Sequence, residues 1–412
     1  MDFSLSEEQQ DVQKLAAEIL TQEVTVDRLK SLEEGEERFD EKLWQQLAEA
    51  GLLGVAIGEA YGGMGFDFET LCLFIEEVGK TVAAVPVVPV LASAALTLQQ
   101  FGDAQQCERW LPGVARGELL ITAALSEPGR DDPSLPATRL TQEGDAWILH
   151  GHKHMVVGAE RASTVLLTAL LGDELVLLTL NPTSANVKLI PQHVTTGEPQ
   201  FSMVLDGAAV TDADIIARGA NARCAIQSMV QHSLVANSVL TLGVTDTMLK
   251  MTAAYTSQRE QFGRAIATFQ AVSHRAADAY IDVQNLRLAC QQAASLLSAQ
   301  SDATEAVLIA KIWASDVAHR VSQSSQHLHG GIGVDRDYPL FRFCLWAKQL
   351  ELTLGGGNRY LSALGDAIAE EFKQREASHT QQIMQHPGGD TATPSVTAAN
   401  PTDAPVVNSH GI

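Results

Sequence analysis

Three short clusters in this 412-residue chain carry side chains and backbone suited to holding an anion or a flat ring. The first is Arg259-Glu260-Gln261-Phe262-Gly263, with Phe269-Gln270 downstream, and it interrupts a long helical stretch. Arg259 offers a rigid five-donor fork that matches a pyrophosphate. Phe262 can lie against a flat ring, although the same string also reads as a plain turn. The second is His327-Leu328-His329-Gly330-Gly331-Ile332-Gly333. Adjacent glycines let a ligand approach the backbone and present amide donors to an anion; they also read as a helix C-cap. The two signals, on neighbouring helices, reinforce each other. The third is Leu125-Ser126-Glu127-Pro128-Gly129. The Ser126 hydroxyl can bond a heterocycle, or the string is a β-turn with proline at its second position. His150, His152 and His154 alternate and would share one strand face, which is a way to build a metal site. No matching Cys or Asp spacing supports it, and an exposed strand edge accounts for the pattern equally well. There is no P-loop, no nucleophile-elbow serine and no strand-bound GxGxxG, since Gly355-Gly356-Gly357 follows a helical stretch.

These clusters need elements to hold them. No proline falls between Pro199 and Pro339, and Ala, Leu, Gln and Arg dominate there. That composition predicts long helices over roughly 222–300 and 303–328, with one or two more over 340–372. Near the start, Ser6 and Gln9 form a capping-box pattern. Val12, Leu15, Ala16, Ile19 and Leu20 then repeat at helical spacing, as do Trp44, Leu47, Ala48 and Leu52. Helix is also expected over 67–80 and 90–101. From about 119 to 218, short Val/Leu/Thr runs alternate with Pro and turn residues and predict antiparallel strands. Helices, strands, then helices make an α+β chain with separate α, β and α domains. The expected boundaries are 1–118, 119–220 and 221–372, with 373–412 as a disordered tail because periodicity is lost and Pro, Gly, Thr and Asn take over.

Composition excludes several functions. With 28 Lys+Arg against 50 Asp+Glu the net charge is −22, which argues against nucleic acid and against anionic lipid. No long uncharged apolar run suggests a membrane span, and the first residues lack the pattern of a secretory leader. Five scattered cysteines suit free thiols in a cytoplasmic protein rather than a disulfide frame.

The strings EAYGGMGFD at 59–67, LSEPG at 125–129, REQFGRAIATFQAV at 259–272 and HLHGGIGV at 327–334, on this α–β–α plan, resemble the acyl-CoA dehydrogenase family over about residues 1–372. The resemblance implies an N-terminal helical domain, a middle antiparallel β-barrel and a C-terminal four-helix bundle. It also implies FAD, an acyl-CoA thioester substrate, a tetramer, and an electron-transfer flavoprotein or similar acceptor. On the matched positions, Arg259, Phe262 and Gln270 would hold the ADP half of a neighbour's FAD, with Gly330 and Gly331 lining the same site. His327 stands where the family usually has Gln, and a His can still donate to a phosphate oxygen or ribose. Ser126 would contact the flavin.

The family's chemistry needs a glutamate over the substrate's Cα, at one of two positions. One falls here on Leu354, or Gly355 with a one-residue slip; the other falls on Ser233. No Asp or Glu occurs from Ile215 to Thr245. The Trp and Thr that contact the flavin ring become Met155 and Val157, and the arginine after the second base position becomes Leu234. The expectation is a subunit of a heteromer whose homologous partner supplies the base, as in family heteromers that act on bulky substrates such as steroid side chains. The alternatives are a self-sufficient homotetramer with a relocated base, Glu351 or Glu127, and a flavin-free scaffold relative.

Overall fold

The computed structural model describes residues 3–35, 38–130, 132–144 and 146–385. The chain divides into two compact units, Met1–Leu364 and Gly365–Ile412. The first unit holds every cluster singled out above.

The N-terminal region is helical: α1 Glu7–Glu23, α2 Val26–Glu34, α3 Glu41–Glu49 and α4 Phe68–Thr81. The capping box is formed, with Gln9 N donating to Ser6 Oγ at 3.2 Å and Ser6 N donating to Gln9 Oε1 at 3.0 Å. Val12, Ala16 and Leu20 are buried as the stripe requires, and Trp44 and Leu47 bury the inner face of α3. A π-helical stretch, Val88–Ala95, runs into α5 Leu96–Phe101, and α6 Ala104–Ala115 comes next. Pro86 precedes this stretch and Pro89 is its second residue; proline lacks an amide donor, so the regular ladder is broken there.

The strands are β1 Ile121–Ala124, β2 Arg139–Glu143, β3 Ala146–Val157, β4 Thr164–Leu171, β5 Glu174–Leu180, β6 Val187–Gln192, β7 Gln200–Val210 and β8 Ile215–Arg218. They form one sheet in the order β6-β7-β3-β2-β4-β5-β8, with β1 added on β4. Two expectations are corrected here. The sheet is mixed, because β1 and β2 both run parallel to β4. It is also an open path rather than a closed barrel. Apolar strand runs do not encode direction, and the β2–β3 hairpin intervenes between β1 and its parallel neighbour, a crossover that periodicity cannot reveal.

The C-terminal region holds α7 Gly219–Gln258, a small hairpin of β9 Glu260–Gln261 and β10 Arg264–Ala265, then α8 Gln270–Ser298, α9 Thr304–His329, α10 Leu340–Leu352 and α11 Gly357–Gln385. Helices α7, α8, α9 and α10 pack on one another, and α4 crosses α7. The crossing is close because both helices carry glycine there. A Cβ on Gly79 would lie 2.3 Å from Leu240 O, and one on Gly243 would lie 2.2 Å from Glu76 O. Helix α11 continues past the expected start of the tail, and residues 386–412 lie outside the described residues. Among the described residues no helix is long and apolar enough to cross a membrane.

Candidate functional site

The end of α7, the start of α8 and the end of α9 meet in one corner. Phe262 and Gly263 both adopt left-handed backbone, φ 54° and 79°, and turn the β9–β10 hairpin. Ile266 N closes it by donating to Arg259 O at 2.8 Å. The turn leaves Phe262 94% exposed. Its ring meets Phe269 edge-on at 6.1 Å, and the Arg264 guanidinium lies 4.2 Å above Phe269. Tyr255 near the end of α7 stacks on His329 near the end of α9 at 4.4 Å. Arg275 on α8 donates to His327 Nδ1 at 2.7 Å, which places that ring's proton on Nε2.

Arg259, Phe262, Gln270, His327, Gly330 and Gly331 therefore share an exposed surface. No atom lies within 4 Å of where a Cβ would stand on Gly263, Gly330 or Gly331. Gly263 and Gly330 also need their positive φ, but Gly331 does not, so nothing within the chain calls for a glycine at 331. A bare backbone facing open space beside Arg259 and an exposed aromatic ring is a cradle for an anionic, ring-bearing ligand. Underneath, His329 is buried between Tyr255 and Tyr338. Burial holds it below the usual histidine range, and its Nδ1–H donates to Ser325 O at 2.8 Å.

The second feature is a cavity of about 430 Å³ between the π-helical stretch, the sheet and the helices α7 and α10. Ser126 and His154 line it from the sheet, joined by His154 N donating to Ser126 O at 3.0 Å. Met155 and Val157 line it from β3, which loses register between Lys153 and Val156. Met155 sits at φ 57°, held by its N donating to Gln192 Oε1 at 2.8 Å. Leu354, at φ 60°, and Gly355 close the α10 side. Ser93 and Asn237 mark the inner end, where Ser93 Oγ and Ser233 Oγ meet at 2.7 Å.

The three histidines of HGHKH share a strand and do not converge. His150 lies 3.8 Å from Asp206, His152 bonds Ser202, and His154 lines the cavity.

Residues 6–118 match the acyl-CoA dehydrogenase N-terminal domain, and residues 223–368 match the acyl-CoA dehydrogenase C-terminal domain. The chain belongs to the acyl-CoA dehydrogenase family. It is 32% identical over 378 residues to acyl-CoA dehydrogenase FadE27 of Mycobacterium tuberculosis, covering 90% of this chain and 99% of that one. Acyl-CoA dehydrogenase FadE28 of the same organism is 31% identical over 365 residues, covering 89% and 98%. Among solved structures, a variant of the Tcur3481-Tcur3483 steroid ACAD superposes with a TM-score of 0.84 at 38% identity, covering 90% of this chain and 100% of that one. The ChsE4-ChsE5 complex from Mycobacterium tuberculosis superposes at 0.85 with 33% identity, covering 90% and 99%.

The two candidate relocated bases, Glu127 and Glu351, are both engaged by neighbouring side chains. Glu127 is buried and fully engaged. It accepts from Lys153 Nζ at 2.6 Å, Thr138 Oγ1 at 2.6 Å, and the amides of Ala137 and Thr138. Burial raises its pKa, but Lys153 and these donors outweigh it and hold the group below the usual range. Burial in turn pushes Lys153 down to about 8. Glu351 faces away from the cavity, toward Lys348 at 2.5 Å and His319 at 3.5 Å. Ser233 is sealed, its hydroxyl donating to Met229 O at 2.6 Å. The acid that does line the cavity is Glu198, in the loop between β6 and β7. It accepts from Gln200 Nε2 at 2.9 Å, and burial raises its pKa. Sequence reasoning missed it, because Thr-Thr-Gly-Glu-Pro reads as an ordinary connecting loop.

Proposed function

We propose that this chain is the base-less subunit of a heteromeric, FAD-dependent acyl-CoA dehydrogenase that desaturates acyl-CoA thioesters between Cα and Cβ. The observation that carries the reading is that neither usual base position holds an acid. Ser233 is 1% exposed and bonded to Ser93 and Met229, and the other position is Leu354 in strained backbone. Glu198 does not replace them. A base must face the ring contacts across the acyl chain, because hydride and proton leave from different carbons toward different groups. Glu198 lies two residues before Gln200, which pairs with Val157 across β7 and β3, so it springs from the edge that carries the ring-contact positions.

The two regions fit FAD unequally. The helix-end corner fits its tail: Arg259 would hold the pyrophosphate, Phe262 the adenine, and the open backbone at Gly330 and Gly331 would approach the phosphates. Gln270 and His327 would add hydrogen bonds. The cavity does not fit its ring, because Val157 offers no hydrogen bond and Met155 no aromatic face. The cofactor, when bound, supplies a two-electron acceptor. This chain's task is to bind and orient its anionic half for a homologous partner, whose cavity holds the ring, the thioester and the base. The helices α7 to α10 are read as the four-helix bundle through which the tetramer assembles. Two of the superposed structures are two-component assemblies by name, one of them a steroid ACAD, which supports the pairing and a bulky acyl group. An electron-transfer flavoprotein or similar carrier would reoxidise the flavin. Five free cysteines suit a reducing cytoplasm.

The test is activity by parts. The lone chain should not dehydrogenate any CoA thioester, and co-expression with a family partner should restore turnover. Substantial dehydrogenation by the lone chain would reject the reading, and a complex that stays colourless would point to a flavin-free scaffold.

A further inference from the structure

The cavity that lacks a base still has unsatisfied chemistry. Gln200 lines it, is 5% exposed, and donates through Nε2 to Glu198 Oε2 at 2.9 Å. Its other amide atom, Oε1, is buried with no hydrogen-bond partner. Buried carbonyl oxygens are normally paired, so an orphan acceptor in a cavity wall calls for a donor from outside. Asn237, also in the lining, is anchored by Nδ2 donating to Ser233 O at 2.7 Å, which leaves its Oδ1 and a second N–H for other partners. Val87, Val88, Leu240, Trp346 and Leu350 give the cavity an apolar side, and Ser126, His154, Gln349 and Thr353 line the rest. Burial raises the pKa of Glu198.

We propose that this cavity is a binding site for a molecule that presents a hydroxyl or N–H donor to Gln200 Oε1 and an apolar face to Val87, Val88, Leu240, Trp346 and Leu350. The inference rests on the preceding reading in one respect, that a flavin ring does not occupy the cavity. Glu198 orients the amide by accepting its Nε2–H, which fixes Oε1 as the acceptor. A fully apolar molecule leaves Oε1 unsatisfied.

The test uses the full chain with 2-naphthol and its methyl ether, 2-methoxynaphthalene, followed by fluorescence titration. Naphthol should saturate and bind at least about tenfold tighter than the ether, as one neutral hydrogen bond to a buried acceptor predicts. Gln200→Leu should erase that difference while retaining the ether. Should Gln200→Leu fail to fold, Ala123→Leu, which fills the cavity from β1, should weaken both probes. Equal binding of the two probes, or discrimination that survives Gln200→Leu, overturns the proposal. Riboflavin displacing naphthol stoichiometrically would overturn it together with the preceding reading. Loss of hydroxyl discrimination alone would leave that reading standing.

Discussion

The helix-end corner and the cavity are built from the same chain, yet they treat their polar groups in opposite ways. In the corner, Arg259, Gln270 and the backbone at Gly330 and Gly331 are exposed, and no atom stands where a Cβ at Gly331 would be. At the cavity, Ser233 is turned inward on Ser93 and Met229, and Glu127, next to Ser126, is buried on Lys153 and Thr138. A site kept for a ligand leaves groups available, whereas a wall satisfies its own. By that criterion the proposed dinucleotide half-site is the corner, and the Ser233 end of the cavity is structure, while Gln200 Oε1 stays available.

The contrast can be attacked at its strongest point first. If Glu127 is wall, Lys153→Met should leave an uncompensated buried carboxylate and cost about 3–5 kcal/mol. Adding Glu127→Gln should recover most of that loss in denaturant unfolding. A variant as stable as the parent would make Glu127 an available acid again. Next, Arg259→Ala should weaken FAD retention by the assembled complex about 10–100-fold, the worth of a charged contact to phosphate. Flavin absorbance after dialysis reads it. Unchanged retention would remove the corner from the cofactor site.

A smaller effect concerns the frame of the cavity. Lys311 is buried, and its Nζ donates to Leu350 O at 3.0 Å at the end of α10. Burial pushes it down to about 7, with Glu351 partly opposing. Its folded pKa lies below its unfolded value, so the unfolded chain binds the extra proton between about pH 7 and the ordinary lysine range. Stability of the parent relative to Lys311→Met should therefore rise with pH through that window, by up to about 1.4 kcal/mol per pH unit. A flat difference across the window contradicts the burial. The smallest effect is the most discriminating for chemistry: Glu351→Gln should change the complex's turnover by less than about twofold, against the roughly 10²–10⁴-fold expected of a general base.

Legibility in the sequence tracks the range of each interaction. The Ser6–Gln9 box, the Val12–Ala16–Leu20 stripe and the break at Arg259 are local and readable from spacing. The corner is half readable: both clusters stand out, but their meeting depends on Tyr255 with His329 and Arg275 with His327, contacts between separate helices. The open sheet and its parallel strands are not legible, since Leu166 and Leu167 look alike in either direction. Glu351 is near the cavity by helical spacing, yet on the last turn of α10 its side chain turns toward α9. Glu198 carries no periodic signal at all.

The most direct measurement of the central claim is flavin stoichiometry in the co-purified complex and in the lone chain. One FAD per two chains is expected in the complex, and little in the chain alone. One FAD per chain, or a lone chain saturated with flavin, would contradict the claim.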